Sequence, residues 1–322
     1  MKTILTTFLT LAISSFAFAQ NPDKALIKVT YNFTHIQDTT QKDRPYTESM
    51  LLMVGKNASV YTSYDKINQN IARKKIIEEQ MKNQAGSNNM SINLTGSPNK
   101  TTSAIDYFFF AKENKFFTKE RVFNFYLVEE PPTKINWKIA KDTTSFSGIL
   151  CQKATTYFKG RNWTAWYATE IPLQSGPWKL NGLPGLIIEA YDDTKTVSFQ
   201  FAGMENVIAQ AEPVKTNKSS TSEITTSGGS FSVVGMGSSI ASISPYLDNE
   251  IKLPVDAIKA TRQELDKLKI AYEKDPQGFM KTQAAGNSSG MITVTGARIA
   301  QTAGPTLPKI VLNNPIELPE KK

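Results

Sequence analysis

The chain has 322 residues, 37 Lys and Arg against 29 Asp and Glu, and a formal charge of +8. The basic residues are spread along it, which argues against a concentrated nucleic-acid-binding patch. A single Cys and a single His exclude an internal disulfide and a metal set of the Cys/His type, so core packing must hold the fold.

In chain order, Lys2, the apolar stretch 4–13 and the small-x-small site Ala17-Phe18-Ala19 read as a secretory signal peptide over residues 1–19. That stretch is about 10 residues long against the ~20 a bilayer needs, and nothing later approaches that length. Residues 20–322 are therefore expected as one exported, non-spanning domain, periplasmic, outer-membrane-associated or extracellular. Ile27, Val29, Tyr31, Phe33 and His35 alternate with Lys28, Thr30, Asn32 and Thr34, the period of a half-buried strand. The same period marks residues 49–54, 58–64, 106–110, 122–128, 151–158, 163–167, 186–191 and 196–201. Lys159-Gly160-Arg161-Asn162 and Asp192-Asp193-Thr194 read as hairpin connections, the second a solvent-exposed tip. Leu183 to Leu186 reads as a type II turn, with Pro184 at its second position and Gly185 at positive φ.

A polar helix is expected over 65–81, with a thin stripe through Ile67, Ile71 and Met81. A second is expected over 255–274, with Ile258, Thr261, Leu265, Leu268 and Tyr272 on one face and Asp275-Pro276 as its stop. Stretches 86–103, 216–244 and 284–304 are rich in Gly, Ser, Thr and Asn and read as flexible insertions, with short hairpins conceivable at 90–94 and 290–294. The fold class is mainly β: an antiparallel meander forming a curved sheet or incomplete barrel, with one packed helix near the C-terminus and a polar surface helix.

The block CQKATTYFKGRNWTAWYATEIPLQSGPWKLNGLPGLI, from Cys151 to Ile187, resembles the signature of the GLPGLI family of exported Bacteroidetes proteins, named for the hexapeptide here at Gly182 to Ile187. The likeness extends to Gly160-Arg161, Trp166-Tyr167, Glu170-Ile171-Pro172 and the closing Asn313-Asn314-Pro315-Ile316-Glu317. It implies an exported, β-rich envelope protein and carries no established activity.

Candidate chemistry is sparse. His35 with Cys151 would make a base and nucleophile if they met, although His35 continues an apolar strand face and Cys usually packs. Glu170, Glu189 and Asp192 could supply paired carboxylates for a hydrolase acting on an envelope or polysaccharide substrate. Gly228-Gly229 and Gly235-x-Gly237 lack the context of a phosphate cradle, so no cofactor is expected. The aromatic group is the stronger candidate for binding. Trp166 lies on the opposite strand face from Trp163 and Tyr167, and Arg161, Trp166, Tyr167 and Trp178 form the expected ligand-binding set, beside a concavity. Arg161 would add a cation to an apolar wall there. The function expected is that of a non-enzymatic binding or accessory protein for a lipid-like or saccharide ligand or an outer-membrane protein partner.

Overall fold

Sixteen strands and two long helices are found among the described residues of the computed structural model, which are 22–83, 93, 98–131, 134–207, 225–226, 229–230, 249–255, 257–279, 282 and 312–320. In chain order they are β1 (Asp23–Lys24), β2 (Ile27–His35), β3 (Tyr46–Val54), β4 (Ala58–Ser63), α1 (Tyr64–Asn83), β5 (Ile105–Phe110), β6 (Lys115–Arg121), β7 (Phe125–Glu130), β8 (Lys138–Phe146), β9 (Ile149–Phe158), β10 (Arg161–Ala168), β11 (Leu186–Asp192), β12 (Val197–Asn206), β13 (Thr225–Thr226), β14 (Gly229–Ser230), β15 (Glu250–Ile251), β16 (Ile258–Ala260) and α2 (Arg262–Lys274). The signal-peptide region 1–19, the stretch 284–304 with its hairpin at 290–294, and all but β13 and β14 of 216–244 lie outside the described residues. So do 86–97 apart from Asn93, which includes the hairpin at 90–94.

Twelve strands form one sheet, ordered β16-β7-β6-β5-β4-β3-β2-β12-β11-β10-β9-β8, and only the β16–β7 pair is parallel. The chain enters mid-sheet at β2, meanders out to β7, crosses to the far edge at β8 and meanders back. β12 then closes on β2, from Val197 opposite His35 to Asn206 opposite Ile27. Curvature follows from the crossing. In a flat sheet ten strand spacings of ~4.8 Å would separate β7 from β8 by about 48 Å. The chain from Glu130 to Lys138 reaches at most ~29 Å. The sheet must curl toward its own far edge, and it is curved without closing into a barrel.

The inner face of the curl gathers Tyr31, Leu52, Tyr61, Trp163, Tyr167 and Phe199 into one core. On the outer face of β3 to β5, Leu51, Met53, Val60 and Phe108 pack against Ile67 of α1 and Ile251. β4 is consequently buried along its whole length. Near the β7 edge, Leu265 of α2 sits on Tyr126 and Val128, while Arg262 donates to Glu120, Thr118 and Glu130.

Several local expectations are corrected. Phe158 pairs with Arg161, so the β9–β10 loop is two residues rather than four. Lys159 and Gly160 both take positive φ (51° and 73°), as a type I′ hairpin requires. Gly182 takes positive φ (86°) and Gly185 does not. What requires glycine at 185 is proximity: a Cβ there would lie 2.0 Å from the Ala168 carbonyl oxygen, so the type II turn is replaced by a close backbone crossing. The C-terminal helix begins at Arg262, because Thr261 and Glu264 form a capping box while Ile258–Ala260 pairs with β7. The stripe of α1 runs through Ile67 and Ile77, and Ile71 is exposed. Residues 122–124 precede β7 rather than belonging to it, and β6 and β8 are strands that the alternation pattern missed.

Candidate functional site

The concavity expected beside Trp166 and Trp178 is occupied by the protein itself. The connection between β10 and β11 folds back across the inner face, and Trp178, held at φ 56°, lies against Trp163 and Phe158 with ring centroids 5.5 and 5.8 Å away. Leu180 and Leu183 are buried beside it. Lys179 then spans the curl, its Nζ 3.1 Å from Glu130 on β7 and 2.7 Å from Glu317. Trp137, just before β8, donates its indole N–H to the Asn181 carbonyl. Tyr167 is buried and donates to Gln152 Oε1, and Gln152 in turn donates to the Ala140 carbonyl. The last bond serves an irregular stretch of β8, where the register slips between Ile139 and Thr143.

Arg161 is equally occupied. Only 4% exposed, its guanidinium donates to Asp192 Oδ2 (2.8 Å), Thr196, Asn314 Oδ1 and the carbonyls of Pro315 and Ile316. Asp192 also accepts from Thr194, Thr196 and the Val197 N–H. Burial raises the Asp192 pKa, but those hydrogen bonds and the Arg161 charge together outweigh it, so the pKa falls below the usual range. The expected solvent-exposed tip at Asp192-Asp193-Thr194 is thus anchored through a buried first residue. His35 joins the same clamp: its Nε2–H donates to the Asn314 carbonyl (2.7 Å), and Asn314 Nδ2 donates to the Ile36 carbonyl. This network holds the 313–318 tail against the end of the sheet. The free cation assigned to Arg161 is therefore a structural strut.

The remaining catalytic pairings come apart by register. His35 stands opposite Val197 and Tyr46, whereas Cys151 stands opposite Ala168 and Thr144 at the other end of the ladder. Burial pushes the Cys151 thiol up to about 11, with the Glu189 charge adding to it, which disfavours a thiolate. Glu189 pairs across from Trp166 on the outer face, while Asp192, three residues on, belongs to the inner one. Glu170 is exposed beyond the end of β10. Among the described residues no cluster of three His, Cys, Asp or Glu gathers as a metal site would need.

What stays open is the outer face of β9 to β12 and β2, which no other element among the described residues covers. Cross-strand pairing sets Thr155, Thr164, Tyr191, Ser198, Thr34 and Thr47 side by side on six adjacent strands. All six are half-buried or exposed, and no hydrogen-bond partner for their hydroxyls is found among the described residues. Two inner-face hydroxyls contrast with them: Tyr31 donates to the Ile187 carbonyl and Thr156 to that of Asn136, although the buried Tyr61 hydroxyl has no partner among the described residues. Alongside the row runs Lys153–Trp166–Glu189, with the exposed amides Gln200 and Asn32 paired further across. Trp166 is half-buried against Phe146, with Lys153 Nζ 6.0 Å from its ring centroid. The face ends at α1 in a groove of about 300 Å³ between Lys28, Thr30, Leu51, Ile67, Ile71 and Met204. Of the four expected binding residues, only Trp166 belongs to this face. Sequence reasoning had placed Thr30, Asn32 and Thr34 on the polar side of β2, but nothing in the sequence aligns them with hydroxyls on distant strands.

No curated protein matches the chain. Two solved structures of PNGF-II, in space groups P21 and C2, are similar at 11% and 13% identity with TM-scores of 0.38 and 0.37. The likeness covers 56% of this chain and 28% and 27% of theirs. No helix among the described residues is long and apolar enough to cross a membrane. Residues 55–189, which contain the Gly182 to Ile187 hexapeptide, match the model of a family described as a protein of unknown function (Porph_ging).

Proposed function

We propose that the protein is an exported cell-envelope component that works by binding, and that its working surface is the outer face of β9 to β12 and β2. One observation carries this: cross-strand pairing lines up six hydroxyls along this face, from Thr155 on β9 to Thr47 on β3, with no partner among the described residues. The signal-peptide pattern at 1–19 and the resemblance to the GLPGLI family support export and an envelope address. A hydrolase using Glu170, Glu189 and Asp192 has less support, because Asp192 is bound up with Arg161 on the other face. A fluorophore on Asn162→Cys, placed on this face, reports the test, since Cys151 is fully buried. Titration with detergent-solubilised envelope should change its signal, and unlabelled native protein should compete. Equal competition by Trp166→Ala and Thr164→Val variants would place the surface elsewhere.

A further inference from the structure

We propose that an uncharged polysaccharide is the ligand of this face, lying across the strands along the hydroxyl row from Thr155 to Thr47 with Trp166 and Tyr191 as its stacking rings. This rests on the reading of the face as the working surface. The row spans five strand spacings, about 24 Å, a length suited to a chain rather than a single sugar. Each hydroxyl both donates and accepts, so it matches a ligand whose own hydroxyls do the same. Trp166 and Tyr191 are diagonal neighbours, since Thr164 opposes Tyr191 and Trp166 opposes Glu189, which sets their Cβ atoms within roughly 8 Å of each other. Their apolar faces and polar tips suit the alternating apolar and hydroxyl-bearing surfaces of a sugar ring.

Charge argues against the other occupants. The row itself bears no ionised side chain, and the charges beside it are of both signs: Lys153 and Glu189 flank Trp166 on either side, Lys195 lies over Tyr191, and Lys138 stands opposite Thr155 at the row's end. An anionic headgroup or phosphate therefore meets no cation within the row itself. A protein partner would want an apolar centre of the kind typical of interfaces, whereas the centre of this face is Thr164, Tyr191, Ser198 and Thr34.

The test is affinity electrophoresis of the mature protein in gels containing hydroxyethylcellulose, glucomannan or dextran, with sedimentation of phosphatidylethanolamine–phosphatidylglycerol vesicles in parallel. At least one neutral polysaccharide should retard the protein. Trp166→Ala should weaken that retardation about tenfold. A Thr164→Val/Thr34→Val variant, which leaves every packed side chain in place, should weaken it by about threefold or more. Retardation by none of the three, or retardation that both variants retain, overturns the polysaccharide assignment. Should vesicles bind instead, and bind less in both variants, the surface reading stands and only the ligand is wrong. If nothing binds in a way that depends on these residues, both readings fall.

Discussion

Around β3 and β4 the sheet is covered twice, by the inner core on one side and by α1 and Ile251 on the other, so Met50 to Val54 and the whole of β4 are buried on both faces. Around β9, β10 and β12 it is covered once, and alternate residues face water. The two edges differ in the same sense: β7 is closed by β16 and α2. β8 has no outer neighbour among the described residues, and exposed Lys138, Lys141 and Asp142, with the register slip beside them, blunt it against further strand pairing. One half of the meander is built to exclude solvent from both faces at its centre. The other keeps a broad polar face free, and the fold supplies its rigidity from behind through the packed Trp163–Trp178 core and the Arg161 clamp.

The largest expected effect comes from that backing. Arg161→Ala leaves Asp192 and Asn314 buried without their cation and should cost about 3–5 kcal/mol in urea unfolding; a loss near zero would mean the tail is held by other means. The same clamp sets the acid response. Because the Asp192 pKa is lowered on folding, its contribution is fully present above the unfolded Asp value of ~3.9 and is lost as pH falls through the folded value. His35 acts earlier. Burial, with the Arg161 charge adding to it, outweighs the Asn314 bond and lowers its pKa, so stability declines as pH falls below the unfolded His value of ~6.5. Asp192→Asn should flatten the lower limb of a stability profile between pH 7 and 2 and deepen the upper limb, because the Asp192 charge holds the His35 pKa up.

Next in size is a matched pair on the outer face. Leu51→Ala, beneath α1, should cost about 2–5 kcal/mol, whereas Thr164→Val and Ser198→Ala, on the uncovered half, should stay within roughly 0.5 kcal/mol of native. Comparable losses at both places would show that something covers the second half as well. Thr261→Ala removes the cap of α2 and should cost about 1 kcal/mol, read as an unfolding shift with early loss of hydrogen-exchange protection in α2.

β2 was legible to the residue, because nine alternating positions leave little choice of period. The start of α2 was not: Ile258-Lys259-Ala260 is too short to declare a strand, and Thr261 with Glu264 was the boundary signal. Arg161 was misassigned because a buried guanidinium looks like an exposed one in sequence, and its partners lie 31 to 155 positions away. The same holds for Trp178, expected beside a concavity that its own connection folds inward to fill. The hydroxyl row was invisible for a related reason. Each Thr or Ser is an ordinary polar-face residue, and only inter-strand register, set by the whole sheet, brings six of them into line.

Hydroxyl-radical footprinting of the native protein, with and without solubilised envelope, tests the central claim most directly. Trp166, Tyr157 and Tyr191 should lose reactivity when envelope material is present, while Tyr272, on α2, stays unchanged. Protection confined to the helices, or none at the three outer-face rings, would contradict it.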